Sequence, residues 1–277
     1  MPRALDRPAL ALVLAVALVL AVALGPACPA AGAAARRYVA LGDSYSSGTG
    51  TRSYVDAACR RSTRAFPYLV AHALPGTTLA LAACSGATTR DVLAGQLGAL
   101  AHDTALVTIT VGGNDAGFAS VLTACAMPAW MSDCAGRVAA AQAFVRTALP
   151  ALLDDVYAAI GARAPAARVV VVGYPRLFDG RDCDLATWFS ADDERLLNET
   201  ADLLAAVTRE RAAAHGFAFA DAIGAFAGHA ICDAGPWLNG LTWPIAESFH
   251  PSAAGHRLGY APLVLATLRR TTGAPER

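Results

Sequence analysis

The run Arg168–Val172 (RVVVV) restricts the fold of this chain more than any other feature. Successive side chains in a strand point to opposite faces, so four consecutive valines make a strand that is apolar on both sides. Such a strand must be covered twice, which a parallel sheet sandwiched between helices does. Residues 105–111 (ALVTITV) predict a second strand of this kind. Residues 38–41, ending at Gly42, residues 77–82 and the weaker residues 217–220 predict three more. Helical spacing fills the gaps. Helices are expected over residues 64–73, over 89–100 with Thr88 or Thr89 as cap, and over 136–160, as one helix or two divided at Pro150. Two more are expected over 190–214, stopped at His215-Gly216, and over 253–270. Strands alternating with helices give an α/β protein of three layers, α/β/α, around a central, mostly parallel five-stranded sheet. Residues 119–133 and 177–189 read as irregular.

The N-terminus reads differently. Arg3 and Arg7 precede an unbroken apolar run over residues 8–24, and small residues with the cleavage triplets 31–33 and 33–35 follow. This is the layout of a secretory signal peptide over residues 1–35, which leaves residues 36–277 as a single domain. The rival reading is an uncleaved anchor helix, for which the run is short. Cys28 makes a poor lipidation site, because Gly25-Pro26-Ala27 stands before it. The expectation is therefore a secreted protein with no stable membrane insertion after cleavage. Export also suits the cysteines. Of 7, Cys28 falls in the leader; Cys59, Cys84, Cys125, Cys134, Cys183 and Cys232 remain, an even set that reads as disulfides. Sequence alone does not choose the pairing. No cysteine or histidine spacing fits a zinc site, so no metal is expected. With 22 basic and 22 acidic residues the net charge is zero, and nothing points to a nucleic-acid partner.

In doubly wound sheets the functional site forms beyond the carboxyl ends of the strands. The first three predicted strands end in Gly42-Asp43-Ser44-Tyr45-Ser46-Ser47-Gly48, in Cys84-Ser85-Gly86-Ala87-Thr88 and in Gly112-Gly113-Asn114-Asp115. These loops open on one rim. Glu247-Ser248-Phe249-His250-Pro251 stands before the last helix.

Ser44, Gly86, Asn114 and His250, in this order, resemble the four blocks of the SGNH (GDSL-type) hydrolase superfamily. The variants GDSYSSG, CSGATT, GGND and ESFHP, together with six cysteines, are similar to those of its secreted actinobacterial lipases and esterases. The resemblance spans nearly the whole mature chain and implies a flavodoxin-like fold and hydrolysis of acyl esters without a cofactor. A serine hydroxyl is a weak nucleophile until a base takes its proton, and imidazole titrates in the right range. The resemblance implies Ser44 in the first role and His250 in the second. It implies an oxyanion hole from the Ser44 and Gly86 amides and the Asn114 side chain, with Gly86 chosen for close backbone approach. The family commonly has Asp three residues before the histidine; that position here is Glu247. A main-chain carbonyl of Glu247 or Ser248 is the favoured orienter, with the Glu247 carboxylate as a candidate third member. The resemblance further implies disulfides Cys59–Cys84, Cys125–Cys134 and Cys183–Cys232.

Neighbouring residues have plainer readings. Ser46, Ser47 and Ser85 suit loop support, and Asp43 and Asp115 suit Asx-type turns. His72, His102, His215 and His229 lack a partner motif, and His256 reads as structural. Asn198-Glu-Thr200 is a formal glycosylation sequon inside a helical pattern. Trp130, Met131, Trp188, Phe189, Trp237 and Trp243 are candidates for an apolar acyl trough or for loop packing. The expected partner is a lipid or small-molecule ester met by a monomer. Polysaccharide deacetylation and non-catalytic binding on the same scaffold are the alternatives.

Overall fold

The computed structural model describes residues 36–181, 183 and 186–271, so the expected leader lies outside the described residues. Five strands form one sheet: β1 (Arg36–Gly42), β2 (Thr77–Leu81), β3 (Thr104–Thr110), β4 (Arg168–Val172) and β5 (Ala218–Ala220). Their order is β2-β1-β3-β4-β5, and every pairing is parallel. The helices are α1 (Ser44–Ser47), α2 (Phe66–Ala73), α3 (Thr89–Asp91), α4 (Phe118–Cys125), α5 (Cys134–Thr147), α6 (Leu149–Arg163), α7 (Ala191–Ala214), α8 (Ala222–Ala225) and α9 (Ala261–Thr271).

The two-sided apolarity of the strands produces the layers. Tyr38, Ala40, Leu106, Val170 and Val172 face one way and pack with Phe66 and Val70 of α2 and with Val264 and Leu268 of α9. Val39, Leu41, Val107, Ile109, Val169 and Val171 face the other way, onto Val92 and onto Leu149, Leu153, Val156 and Ile160 of α6. Both faces are thus covered by helices, and the α/β/α expectation holds.

Three helical expectations and one irregular stretch are refined. Residues 136–160 form two helices, α5 and α6, with Pro150 in the first turn of α6, where its missing N–H costs nothing. Residues 119–133, expected to be irregular, contain most of α4. That helix is short, follows Gly117 at φ +68° without a side-chain cap, and buries only Val121, Leu122 and Cys125, so its periodic signal is weak. The segment after Thr88 is α3 followed by a π-turn (Val92–Gln96) and a 3-10 turn (Leu97–Ala99). The last helix likewise opens on a π-turn, Gly255–Tyr260, where a Cβ on Gly255 would lie 2.3 Å from the Trp237 carbonyl oxygen. Thr88 caps α3 in a reciprocal capping box with Asp91, and Ser190 caps α7 in the same way with Asp193.

The disulfides are Cys59–Cys84, Cys125–Cys134 and Cys183–Cys232. The formal sequon has a structural use: Asn198 Nδ2 donates to the Phe178 carbonyl, and its Oδ1 accepts the Phe178 N–H.

Candidate active site

The strand order places the switch point of the sheet between β1 and β3, the position at which doubly wound sheets open a crevice. Ser44 follows β1 by one residue and Asn114 lies just past the end of β3, so both stand at this opening.

The nucleophile turn is held from below. Gly42 ends β1 at φ +114°, and a Cβ there would sit 2.1 Å from the Thr110 carbonyl oxygen. No side chain fits. The Gly42 amide and carbonyl are both held by buried Gln96, at 2.7 and 2.8 Å. The π-turn directs this glutamine inward. Asp43, fully buried, caps α1 by accepting the Tyr45 N–H at 3.0 Å, and also accepts from Thr110 Oγ1 at 2.6 Å and from the Tyr174 hydroxyl. Burial pushes its carboxyl up to about 6, against the pull of those three donors. Asp43 is therefore an Asx cap, as expected, and a cross-link between three elements. Asp115 differs from its expected reading. Both its oxygens accept from the Thr89 amide, and one accepts from Thr89 Oγ1 at 2.6 Å, so it ties the third loop to the second.

His250 Nε2 lies 2.8 Å from Ser44 Oγ. Its Nδ1 lies 2.8 Å from the Ser248 carbonyl oxygen. A carbonyl only accepts, so Nδ1 carries the proton and Nε2 presents its lone pair to the serine hydroxyl. The Glu247 carboxylate accepts from the Tyr54 hydroxyl, and its other oxygen has no hydrogen-bond partner among the described residues. Glu247 thus does not occupy the orienting position on Nδ1; the main-chain alternative does. The chain makes this contact by placing Phe249 at φ +60°, a left-handed conformation that is costly for a bulky residue. Its N–H donates to the Asn239 carbonyl, its carbonyl accepts from Tyr45 Oη at 2.8 Å, and its ring packs against Phe178 and Phe189. Burial pushes the His250 imidazole down to about 4, opposed by the Ser248 hydrogen bond and the Glu247 charge, while Arg60 adds to the lowering. At neutral pH the imidazole is therefore uncharged.

Among the described residues the amides of Ser44 and Gly86 have no hydrogen-bond acceptor, whereas that of the intervening Ser85 donates to the Cys59 carbonyl. Asn114 Nδ2 donates one hydrogen to the Ala87 carbonyl at 3.0 Å, which leaves its second available. A Cβ on Gly86 would meet no protein atom within 4 Å. Its φ of +85° is a left-handed conformation that favours glycine. The Cys59–Cys84 bridge anchors this loop, and Thr49 Oγ1 donates to Ser85 Oγ at 3.0 Å, so Ser85 supports the loop as expected.

Of the remaining histidines, His72 and His102 are exposed, and His215, His229 and His256 make contacts within the fold. His256 is buried, accepts the Phe66 N–H on Nδ1, and is pushed by burial to about 3. His229 stacks on Trp237 at 3.6 Å, and His215 pairs with Asp154. Of the aromatic candidates, Trp237 stacks on His229 and Phe189 is buried, while Trp130, Met131, Trp188 and Trp243 are exposed. Sequence reasoning missed Gln96, Tyr174, Tyr54 and Thr110. Each is a polar residue whose partner lies far along the chain, and only the capping logic at Asp43 hinted at the network.

A parallel α/β/α sheet with a serine and a neutral imidazole in contact at its switch point, beside unengaged amide donors, has the form of a carboxylic ester hydrolase. The family model described as GDSL-like Lipase/Acylhydrolase matches residues 40–258. The chain belongs to that family, and it is an acyl ester hydrolase. It is 49% identical to Lipase 1 of Streptomyces coelicolor over 236 residues, covering 84% of this chain and 87% of that protein. The extracellular lipase of Streptomyces rimosus superposes with a TM-score of 0.79 at 47% identity, over 84% of this chain and all (100%) of that one. The phospholipase A1 of Streptomyces albidoflavus superposes equally, with a TM-score of 0.79 at 45% identity and the same coverage of 84% and 100%.

Proposed function

We propose that the chain is a secreted hydrolase of lipid acyl esters that works through a Ser44–His250 dyad oriented by a main-chain carbonyl. The carrying observation is the continuous relay from Ser44 Oγ through His250 to the Ser248 oxygen, with both contacts at 2.8 Å. Ser44 Oγ bonds to the ester carbonyl carbon as its proton passes to His250 Nε2. The former carbonyl oxygen becomes an oxyanion, stabilised by the Ser44 and Gly86 amides and the free hydrogen of Asn114 Nδ2. The imidazolium keeps its Nδ1–H bond to Ser248, and the nearby Glu247 carboxylate favours its charge. Collapse breaks the ester C–O bond, and the imidazolium returns the proton to the departing alcohol. Water then attacks the acyl-enzyme by the same steps, releasing the fatty acid and free Ser44.

The relatives named a lipase and a phospholipase A1 support lipid esters as the substrate class. The N-terminal apolar run and the three disulfides support secretion. The test is turnover of p-nitrophenyl esters of increasing chain length. Medium or long acyl chains should be preferred over acetate. Ser44→Ala and His250→Ala should each lower kcat by roughly ten-thousandfold or more, while Tm stays within a few degrees. Undiminished turnover in Ser44→Ala would overturn the mechanism, and preference for acetate alone would overturn the substrate.

A further inference from the structure

The loop that follows the nucleophile lies directly against the base: a Cβ on Gly50 would sit 2.9 Å from His250 Cβ. Beyond Gly50 this loop packs beside the chain that leads into Glu247. Arg52 donates to Thr242 Oγ1 at 2.6 Å, and Arg60 donates to the Ala246 carbonyl at 3.4 Å. Ser248 Oγ closes the second loop by accepting the Thr242 N–H and donating to the Thr242 carbonyl. Among the described residues, the joined loops leave large apolar side chains exposed: Val55 at 66%, Trp243 at 81% and Ile245 at 58%. They also carry uncompensated positive charge. Among the described residues Arg52, Arg60 and Arg64 form no ion pair, Arg61 is taken up by Asp56, and the Glu247 carboxylate is buried against Tyr54.

We infer that these two loops form a docking edge for an anionic lipid surface, with Trp243 and Ile245 entering the headgroup layer and the arginines meeting lipid phosphates. An indole at the tip of a loop suits the boundary between headgroups and acyl chains, and unpaired guanidiniums suit anionic headgroups. A free phosphate ion would use the arginines and leave the apolar tips without a role. Because Gly50 abuts His250, docking here delivers the ester at the mouth of the site. The inference rests on the reading of the substrate as a lipid ester.

The experiment is cosedimentation of the Ser44→Ala protein with phosphatidylglycerol vesicles and with phosphatidylcholine vesicles. Partitioning should favour phosphatidylglycerol at least about tenfold and weaken with added salt. Adding Trp243→Ser and Ile245→Ser should reduce it about tenfold or more, and Arg52→Gln and Arg64→Gln by roughly fivefold each. The same loop substitutions with Ser44 intact should leave p-nitrophenyl butyrate turnover within about twofold, which shows that fold and site survive. Equal binding to both vesicles, binding that the loop variants do not change, or self-association through Trp243 without vesicles would overturn the docking edge. Failure of wild-type protein to hydrolyse p-nitrophenyl esters would instead overturn the catalytic reading.

Discussion

Ser44 and His250 touch, yet the two are positioned in different ways. Ser44 rides on the end of a buried strand, and the turn that carries it is fixed by side chains: Gln96 on Gly42, and Thr110, Tyr174 and the α1 cap on Asp43. His250 lies in irregular chain after a single 3-10 turn, Ile245–Glu247, and is fixed by main-chain atoms. The Ser248 carbonyl holds its ring, the main chains of Asn239, Phe249 and His250 pair to hold the turn, and the Tyr45 hydroxyl is the side-chain exception on the Phe249 carbonyl. The nucleophile half depends on which side chains are present. The base half depends on the path of the backbone.

Outside the Ser44–His250 pair itself, the widest departure from wild type is expected on the side-chain half. Asn114→Ala removes an oxyanion donor and should lower kcat by roughly a hundredfold to a thousandfold with little change in KM. A loss confined to KM would place Asn114 in substrate binding instead. Next comes Gln96→Leu, which leaves the Gly42 amide without its partner beneath the nucleophile. Unfolding in urea should show a loss of about 1–3 kcal/mol for an unsatisfied buried group, and kcat should fall with it. An unchanged midpoint would mean that the nucleophile turn does not rely on this side chain.

The pH profile sharpens the base half. His250 must be neutral to accept the proton, and burial holds it at about 4 rather than at its ordinary value near 6.5. The acid limb of kcat/KM should therefore fall near 4, with activity level from 7 down to 5. A limb near 6.5 would mean a solvated imidazole. Stability does not isolate this group. Between 6.5 and 4 the unfolded chain binds a proton at His250 that the folded one refuses, so acid destabilises. Asp43 works against this, because its folded carboxyl takes up a proton near 6, above its ordinary range, so acid in that window favours the fold.

The same contrast decides what was legible in the sequence. Val169–Val172 and ALVTITV announce strands covered on both sides, and the resulting order places Ser44 and Asn114 at the switch point. The cap at Thr88 was legible, as one of two neighbouring threonines, because a side-chain oxygen three residues ahead of a carboxylate has a local partner. Gln96 was not, since its partner is 54 residues away and a π-turn had to aim it. The orienting carbonyl was legible only as one of two, that of Glu247 or that of Ser248. Every residue carries one, and its use here follows from Phe249 adopting a conformation that its side chain disfavours.

The smallest expected effect is the most direct test. In Glu247→Gln the main-chain acceptor on His250 Nδ1 is retained and only a neighbouring charge is lost. kcat should stay within about threefold of wild type, whereas losing a carboxylate that orients a catalytic histidine costs roughly ten-thousandfold. Near-full turnover is the result a Ser44–His250 dyad held by the Ser248 carbonyl predicts. A collapse of kcat with the fold intact would contradict it and return Glu247 to the catalytic centre.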